Sequence, residues 1–146
     1  MKTIALLFFA GALLIAASQN VSACFCATIG TPQRNLADVD AVFLGKVVAA
    51  KRHEWTIAVE ETWKGNVQEK VQMRDPSAGT DCESKFTLGE TYIFFARAKE
   101  SGRKTIYRPA LCTWTTSLTF RYDGILLSEY VLKELGAGHA PFRRSL

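Results

Sequence analysis

Between residues 41 and 112 the apolar positions recur with strand spacing. Trp55, Ile57 and Val59 alternate with Thr56, Ala58 and Glu60, a period of two that predicts a strand with one buried face. Ala41 to Ala50 is rich in β-forming residues, and Gly45 in its middle predicts a bulge or bend. Lys64-Gly65-Asn66 predicts a turn and Lys70 to Arg74 a short third strand. The irregular run Asp75-Pro76-Ser77-Ala78-Gly79 ends that strand and leads to Cys82. After a turn at Leu88-Gly89-Glu90, Thr91 to Ala98 is apolar or aromatic on both faces, which predicts a strand buried on both sides. Ser101-Gly102 then connects it to a fifth strand, Lys104 to Arg108. Five strands of this kind with glycine kinks predict a mainly β domain, a small closed or partly open barrel.

Helical spacing occurs on either side of the strands. Pro32 to about Ala37 is predicted as a short helix, with Thr31 as N-cap and Pro32 at the first helical position. A second helix is predicted from about Gly124 to Leu135, begun by Asp123 as N-cap and closed by Gly136. Leu127, Tyr130, Val131 and Leu135 form its apolar stripe, which suits packing on the barrel. Gly136 to Leu146 shows no period and is expected to be a loose tail. Trp55, Trp63, Tyr92, Phe94, Phe95 and Trp114 are read as core rather than as a stacking platform, so no nucleic-acid partner is expected.

The first residues change the setting. Lys2, the 14-residue apolar run Ile4 to Ala17 and the small or apolar Val21-Ser22-Ala23 have the layout of a secretory signal peptide. The apolar run falls short of the roughly 20 residues that a transmembrane helix needs, so no membrane span is expected. Cleavage after Ala23 divides the chain into a signal peptide (1–23), one domain (24–136) and the tail (137–146), and makes Cys24 the first mature residue. Val21-Ser22-Ala23-Cys24 also fits the box that precedes a lipid-modified cysteine in bacterial lipoproteins. The polar Ser18-Gln19-Asn20 between the apolar run and the box favours ordinary cleavage over lipidation, so a secreted protein is expected, with a periplasmic or lipid-anchored form as the alternative in a bacterium. Without Lys2, 17 Lys and Arg stand against 14 Asp and Glu, a mild excess spread over short clusters that read as solvated surface.

All four cysteines, Cys24, Cys26, Cys82 and Cys112, lie beyond the leader, and in an exported chain an even count reads as disulfides. Four cysteines allow three pairings. A bridge from Cys24 to Cys26 would close a cramped ring, so each is expected to reach a distant partner, with the choice between the two crossed pairings open. The spacing is not that of a zinc site, and His53 and His139 fall near no other ligand, so no metal of its own is expected. Nucleophile elbows, zinc-protease helices and phosphate loops are absent, and Glu60-Glu61, adjacent on a strand, point to opposite faces. Neither an enzyme nor a cofactor is expected.

Cys24-Phe25-Cys26, Ala41-Val42-Phe43-Leu44-Gly45-Lys46-Val47, Trp63-Lys64-Gly65, Cys82 with Phe86, Gly89-Glu90-Thr91-Tyr92, Phe95-Ala96 and Cys112 follow one another in an order and spacing that resemble a known family. That family is the tissue inhibitors of metalloproteinases, in their N-terminal, netrin-like domain, and the likeness runs from Cys24 to about Tyr130. The chain looks like a single-domain relative. The resemblance implies a five-stranded OB-fold barrel with bridges Cys24–Cys82 and Cys26–Cys112, and a secreted, monomeric inhibitor whose partner is a zinc metalloproteinase. It further implies that the amine and carbonyl oxygen of Cys24 bind the target's catalytic zinc, and that Phe25 enters the adjoining specificity pocket. Cys26, Ala27 and Thr28 would follow the primed side of the cleft, with Thr80 and Asp81 on the other side. The chemistry suits a terminal amine, whose ordinary pKa of about 7.7 to 8.0 leaves a useful neutral fraction. The rival expectation is a non-inhibitory netrin-like module that binds a protein or an anionic surface.

Overall fold

A computed structural model describes residues 24–143. The expected leader, 1–23, lies outside the described residues. The chain runs α1 (Pro32–Asp38), β1 (Ala41–Lys51), β2 (Glu54–Lys64), β3 (Lys70–Arg74), β4 (Thr91–Ser101), β5 (Lys104–Pro109), three two-residue strands β6 (Thr116–Ser117), β7 (Arg121–Tyr122) and β8 (Ile125–Leu126), and α2 (Leu127–Leu135).

The expected architecture is present: a mainly β protein in which five strands close into a barrel, with two flanking helices. Strand order is β1-β2-β3-β5-β4, and β4 returns to pair with β1. Every pairing in that ring is antiparallel except β3 with β5, which run parallel. This is a Greek-key barrel of the OB type. Alternation decides what lies inside. Phe43 and Val47 of β1, Trp55 and Ile57 of β2, Met73 of β3, Phe94 of β4 and Tyr107 of β5 fill the interior. Phe86 plugs it by packing edge-on against Trp55 (5.0 Å), Phe94 (5.1 Å) and Tyr92 (5.2 Å).

β4 is buried on both faces from Tyr92 to Ala96, as its composition predicts. Its even-numbered positions face the barrel, while Ile93 and Phe95 join Val42, Val39 and Val131 in a second core beneath the helices. Trp63 and Trp114 pack on that second layer. Gly45 sits where β1 changes register against β2 and also pairs with Tyr92 of β4. A Cβ there would stand 2.5 Å from Ile57 Cγ2 and 2.9 Å from the Ala58 carbonyl oxygen. The Gly45→Ala variant is therefore expected to lose about 2 kcal/mol through overpacking, read as a lower urea midpoint at unchanged m-value.

α1 begins as predicted, with Thr31 Oγ1 accepting from Arg34 N at 3.3 Å and Pro32 in the first turn. α2 differs from its prediction. It starts at Leu127, with no side-chain cap, because Asp123 and Gly124 are used elsewhere. Both have left-handed backbone, φ 48° and 79°, and form the two-residue turn of the β7–β8 hairpin. Asp-Gly is a strong signal for the turn type with positive φ at both central residues, and here it outcompetes the N-cap role. Tyr130 lies at the edge of the apolar stripe, edge-on to Trp114 at 5.2 Å.

The chain beyond Gly136, expected as a loose tail, docks on the barrel as far as Arg143. His139 exchanges two main-chain hydrogen bonds with Thr62, each 2.8 Å, and Phe142 N donates to the Val67 carbonyl at 2.7 Å. Arg143 adds an ion pair to Glu69. The cause lies in the ladder: β2 pairs with β3 only as far as Ala58. The last turn of β2 would otherwise present unpaired main-chain groups, which the tail satisfies.

Candidate functional site

The parallel pairing of β3 with β5 brings their C-terminal ends out at one end of the barrel. The chain that leaves β3 reaches Cys82 and the chain that leaves β5 reaches Cys112. Cys24 bridges Cys82 and Cys26 bridges Cys112, with Cα separations of 5.0 and 5.4 Å. Of the two crossed pairings left open by spacing, the fold holds the one implied by the resemblance. Cys112 reaches its partner from left-handed backbone, φ 57°, an unusual conformation for a residue other than glycine. Two disulfides are compatible with an oxidising, extracytoplasmic location.

The bridges hold Cys24-Phe25-Cys26 on the surface as a ridge. Phe25 is 83% exposed, more than any other large apolar side chain described. Cys24, Ala27 and Thr28 are also exposed, while Cys26 is half-buried. Past the ridge, Trp114 Nε1 donates to the Gly30 carbonyl, which fixes the chain before it enters α1. Thr80 and Asp81 stand exposed next to Cys82, on the loop tied to Cys24. All seven residues expected at the site thus belong to two segments joined by the Cys24–Cys82 bridge.

The 75–84 loop has no regular structure, so its shape rests on side-chain bonds, most of them from residues not expected at the site. Asp75 is buried, and its carboxylate accepts from Ser77 N at 2.7 Å and Ser84 N at 2.5 Å. Its own N–H donates to the His53 carbonyl in the β1–β2 turn. Glu83 accepts from Gly79 N at 3.2 Å and lies 3.0 Å from His53 Nδ1. Thr80 accepts from Cys82 N and donates to the Ser77 carbonyl. Asp75-Pro76-Ser77 carries a readable signal, since aspartate commonly binds the N–H two residues on. Its second bond, to Ser84, has no local signature.

A test of this cage is direct. Asp75→Asn leaves one of the two buried N–H groups facing an amide nitrogen, so it is expected to cost about 1–3 kcal/mol by urea denaturation. Loss below about 0.5 kcal/mol would show that water replaces the carboxylate without penalty.

Elsewhere, a cavity of about 460 Å³ lies at the β3–β5 seam. Tyr107 contributes to its wall, where burial pushes the phenol's pKa above the ordinary value of 10.0 and Glu100 adds to the effect. A second cavity, about 640 Å³, runs from Ile29 beside the ridge to Phe120 at the hairpin. Among the described residues, no three His, Cys, Asp or Glu side chains converge as a metal site, and no helix is long and apolar enough to cross a membrane. No family model matches the chain, and no curated protein matches it.

Proposed function

We propose that this is a secreted inhibitor of zinc metalloendopeptidases that chelates the target's catalytic zinc through the free amine and carbonyl oxygen of Cys24. The observation that carries the reading is the ridge: two bridges only two residues apart leave Cys24 and Phe25 outside the fold yet fixed to it. The resemblance to the netrin-like domain of tissue inhibitors of metalloproteinases supplies the rest.

An amine and a carbonyl on one residue close a five-membered ring with a metal ion. A catalytic zinc binds a water beside its three protein ligands, and the two donors of the chelate displace that water and make the zinc five-coordinate, removing the nucleophile that peptide hydrolysis needs. Binding consumes the neutral amine, so zinc favours deprotonation. Fixing the ridge before docking reduces the entropy lost on binding. Phe25 then enters the pocket beside the zinc. Full burial of a phenylalanine contributes about 1.5–3 kcal/mol, which requires a deep apolar pocket. Proteases with shallow primed-side pockets are excluded by size. Ala27 and Thr28 continue along the primed side, with Thr80 and Asp81 across the zinc from them.

The test is intact mass and N-terminal sequencing of the exported protein, followed by inhibition assays against zinc endopeptidases with deep and with shallow primed-side pockets. A Cys24 start with inhibition confined to deep pockets, lost on acetylation of the Cys24 amine, is the expected result. A folded protein with a free Cys24 amine that inhibits none of them would instead be a non-inhibitory binding module.

A further inference from the structure

The outer face of β3, β5 and β4 carries an excess of unpaired positive charge, placed there by strand register. Lys70 and Arg74 of β3 are exposed, alternating with the buried Val71 and Met73. Gln72 stands beside Ile106 of β5, and Ile106 lies opposite Lys99 of β4. The same ladder sets Arg97 directly opposite Arg108, and Lys104 opposite Ser101. Arg103 lines the cavity at this seam beside Lys70 and Lys104. The acid among the cavity's lining residues, Glu54, is engaged by Arg74 at 2.6 Å. Lys70, Arg97, Lys99, Arg103, Lys104 and Arg108 make no ion pair among the described residues.

Like charges directly across an antiparallel pair destabilise it. Arg97 opposite Arg108 is therefore unfavourable for the fold alone and becomes favourable when an anion lies between them. The cavity's other lining chemistry narrows the ligand. Asn66 and Gln68 offer amide donors and acceptors, which match sugar hydroxyls, while the Gln72 amide is engaged by Thr56. Single-stranded nucleic acid calls for aromatic faces on which bases stack. The aromatic residue here, Tyr107, is buried with its ring edge-on to Phe43 at 5.6 Å. A membrane surface calls for exposed apolar side chains beside the cations, whereas Ile106 is half-buried.

We propose that this face binds a linear acidic polysaccharide, its carboxylate or sulfate groups on the cation rows and a sugar unit in the seam cavity. The seam cavity with Lys70, Arg103 and Lys104 lies toward the starts of β3 and β5, Arg97 and Arg108 lie nearer the end of β5, and the ridge lies beyond that end. A sugar unit in the seam cavity therefore leaves the ridge free. Glycan binding is independent of the inhibitory reading, and acetylating the Cys24 amine leaves it unchanged.

The experiment titrates the full chain with a heparin dodecasaccharide, an oligogalacturonate, polyglutamate and poly-dT across a range of salt. Salt-sensitive binding to either saccharide, tighter than to polyglutamate or poly-dT, is expected; heparin alone would assign sulfate as the recognised group, and both would assign carboxylate as sufficient. Lys70→Gln, Arg97→Gln and Lys104→Gln are each expected to weaken it about fivefold, and Lys133→Gln on α2 to leave it unchanged. Arg97→Gln should also raise the melting temperature, because it removes the repulsion with Arg108. The proposal is overturned by no saccharide binding at low salt, by equal or tighter binding of polyglutamate or poly-dT, or by an equal loss on Lys133→Gln. A melting temperature lowered by Arg97→Gln would also count against it.

Discussion

One alanine inserted ahead of Cys24 is expected to abolish inhibition of a zinc endopeptidase and to leave thermal unfolding unchanged. The insertion converts the Cys24 nitrogen from an amine into an amide, whose lone pair is delocalised into the carbonyl and no longer available to a metal. The new terminal amine begins about 3.8 Å further along the chain, measured between Cα atoms, and cannot form the same chelate with the Cys24 carbonyl. Losing a metal contact worth several kcal/mol weakens inhibition about a thousandfold or more. The fold has no stake in that nitrogen. Cys24 is exposed and is held by its sulfur, which the insertion does not touch. Equal inhibition by the extended and unextended proteins would rule out zinc chelation and leave Phe25 and the two loops as a conventional contact surface.

The separation between anchoring sulfur and acting nitrogen also explains what could be read from the sequence. Periodicity finds side chains that alternate between core and solvent, so β1 to β5, the Gly45 bend and the Thr31-Pro32 start of α1 were all legible. It is blind where main-chain bonding decides. The two-residue β7 and β8 have no period to detect, and Asp123-Gly124 carries both a cap and a turn signal, settled by positive φ at both positions. The docked tail is held largely through main-chain groups and so leaves no side-chain pattern. At the site, the ridge was visible as Cys24-Phe25-Cys26 beside the expected leader. The cage around Cys82 was not, because His53 reaches Glu83 only once β1, β2 and the 75–84 loop are in place. The pairing was resolved by resemblance alone, since spacing cannot show that β3 and β5 deliver Cys82 and Cys112 to one end of the barrel.

That convergence makes the bridges the largest stability effect in the protein. Cys24–Cys82 and Cys26–Cys112 span 58 and 86 residues, so taken singly the longer loop would seem to matter more. The two are interleaved, however. With either bridge closed, the other closes an effective loop that runs through it: 2 residues from Cys24 to Cys26 and 30 from Cys82 to Cys112. In the chain-entropy model, removing either bridge alone by paired Cys→Ser substitution therefore costs the same, about 4 kcal/mol. Removing both costs about 8 kcal/mol, because the last bridge to go then closes its full loop. Set against a typical domain stability of about 5–15 kcal/mol, each single variant is expected to fold at reduced midpoint and the double variant to be largely unfolded at 37 °C. Denaturant titration of the two single variants checks the account. A difference between them well beyond about 1 kcal/mol would mean that the bridges act by holding native contacts at the ridge rather than by restricting the unfolded chain.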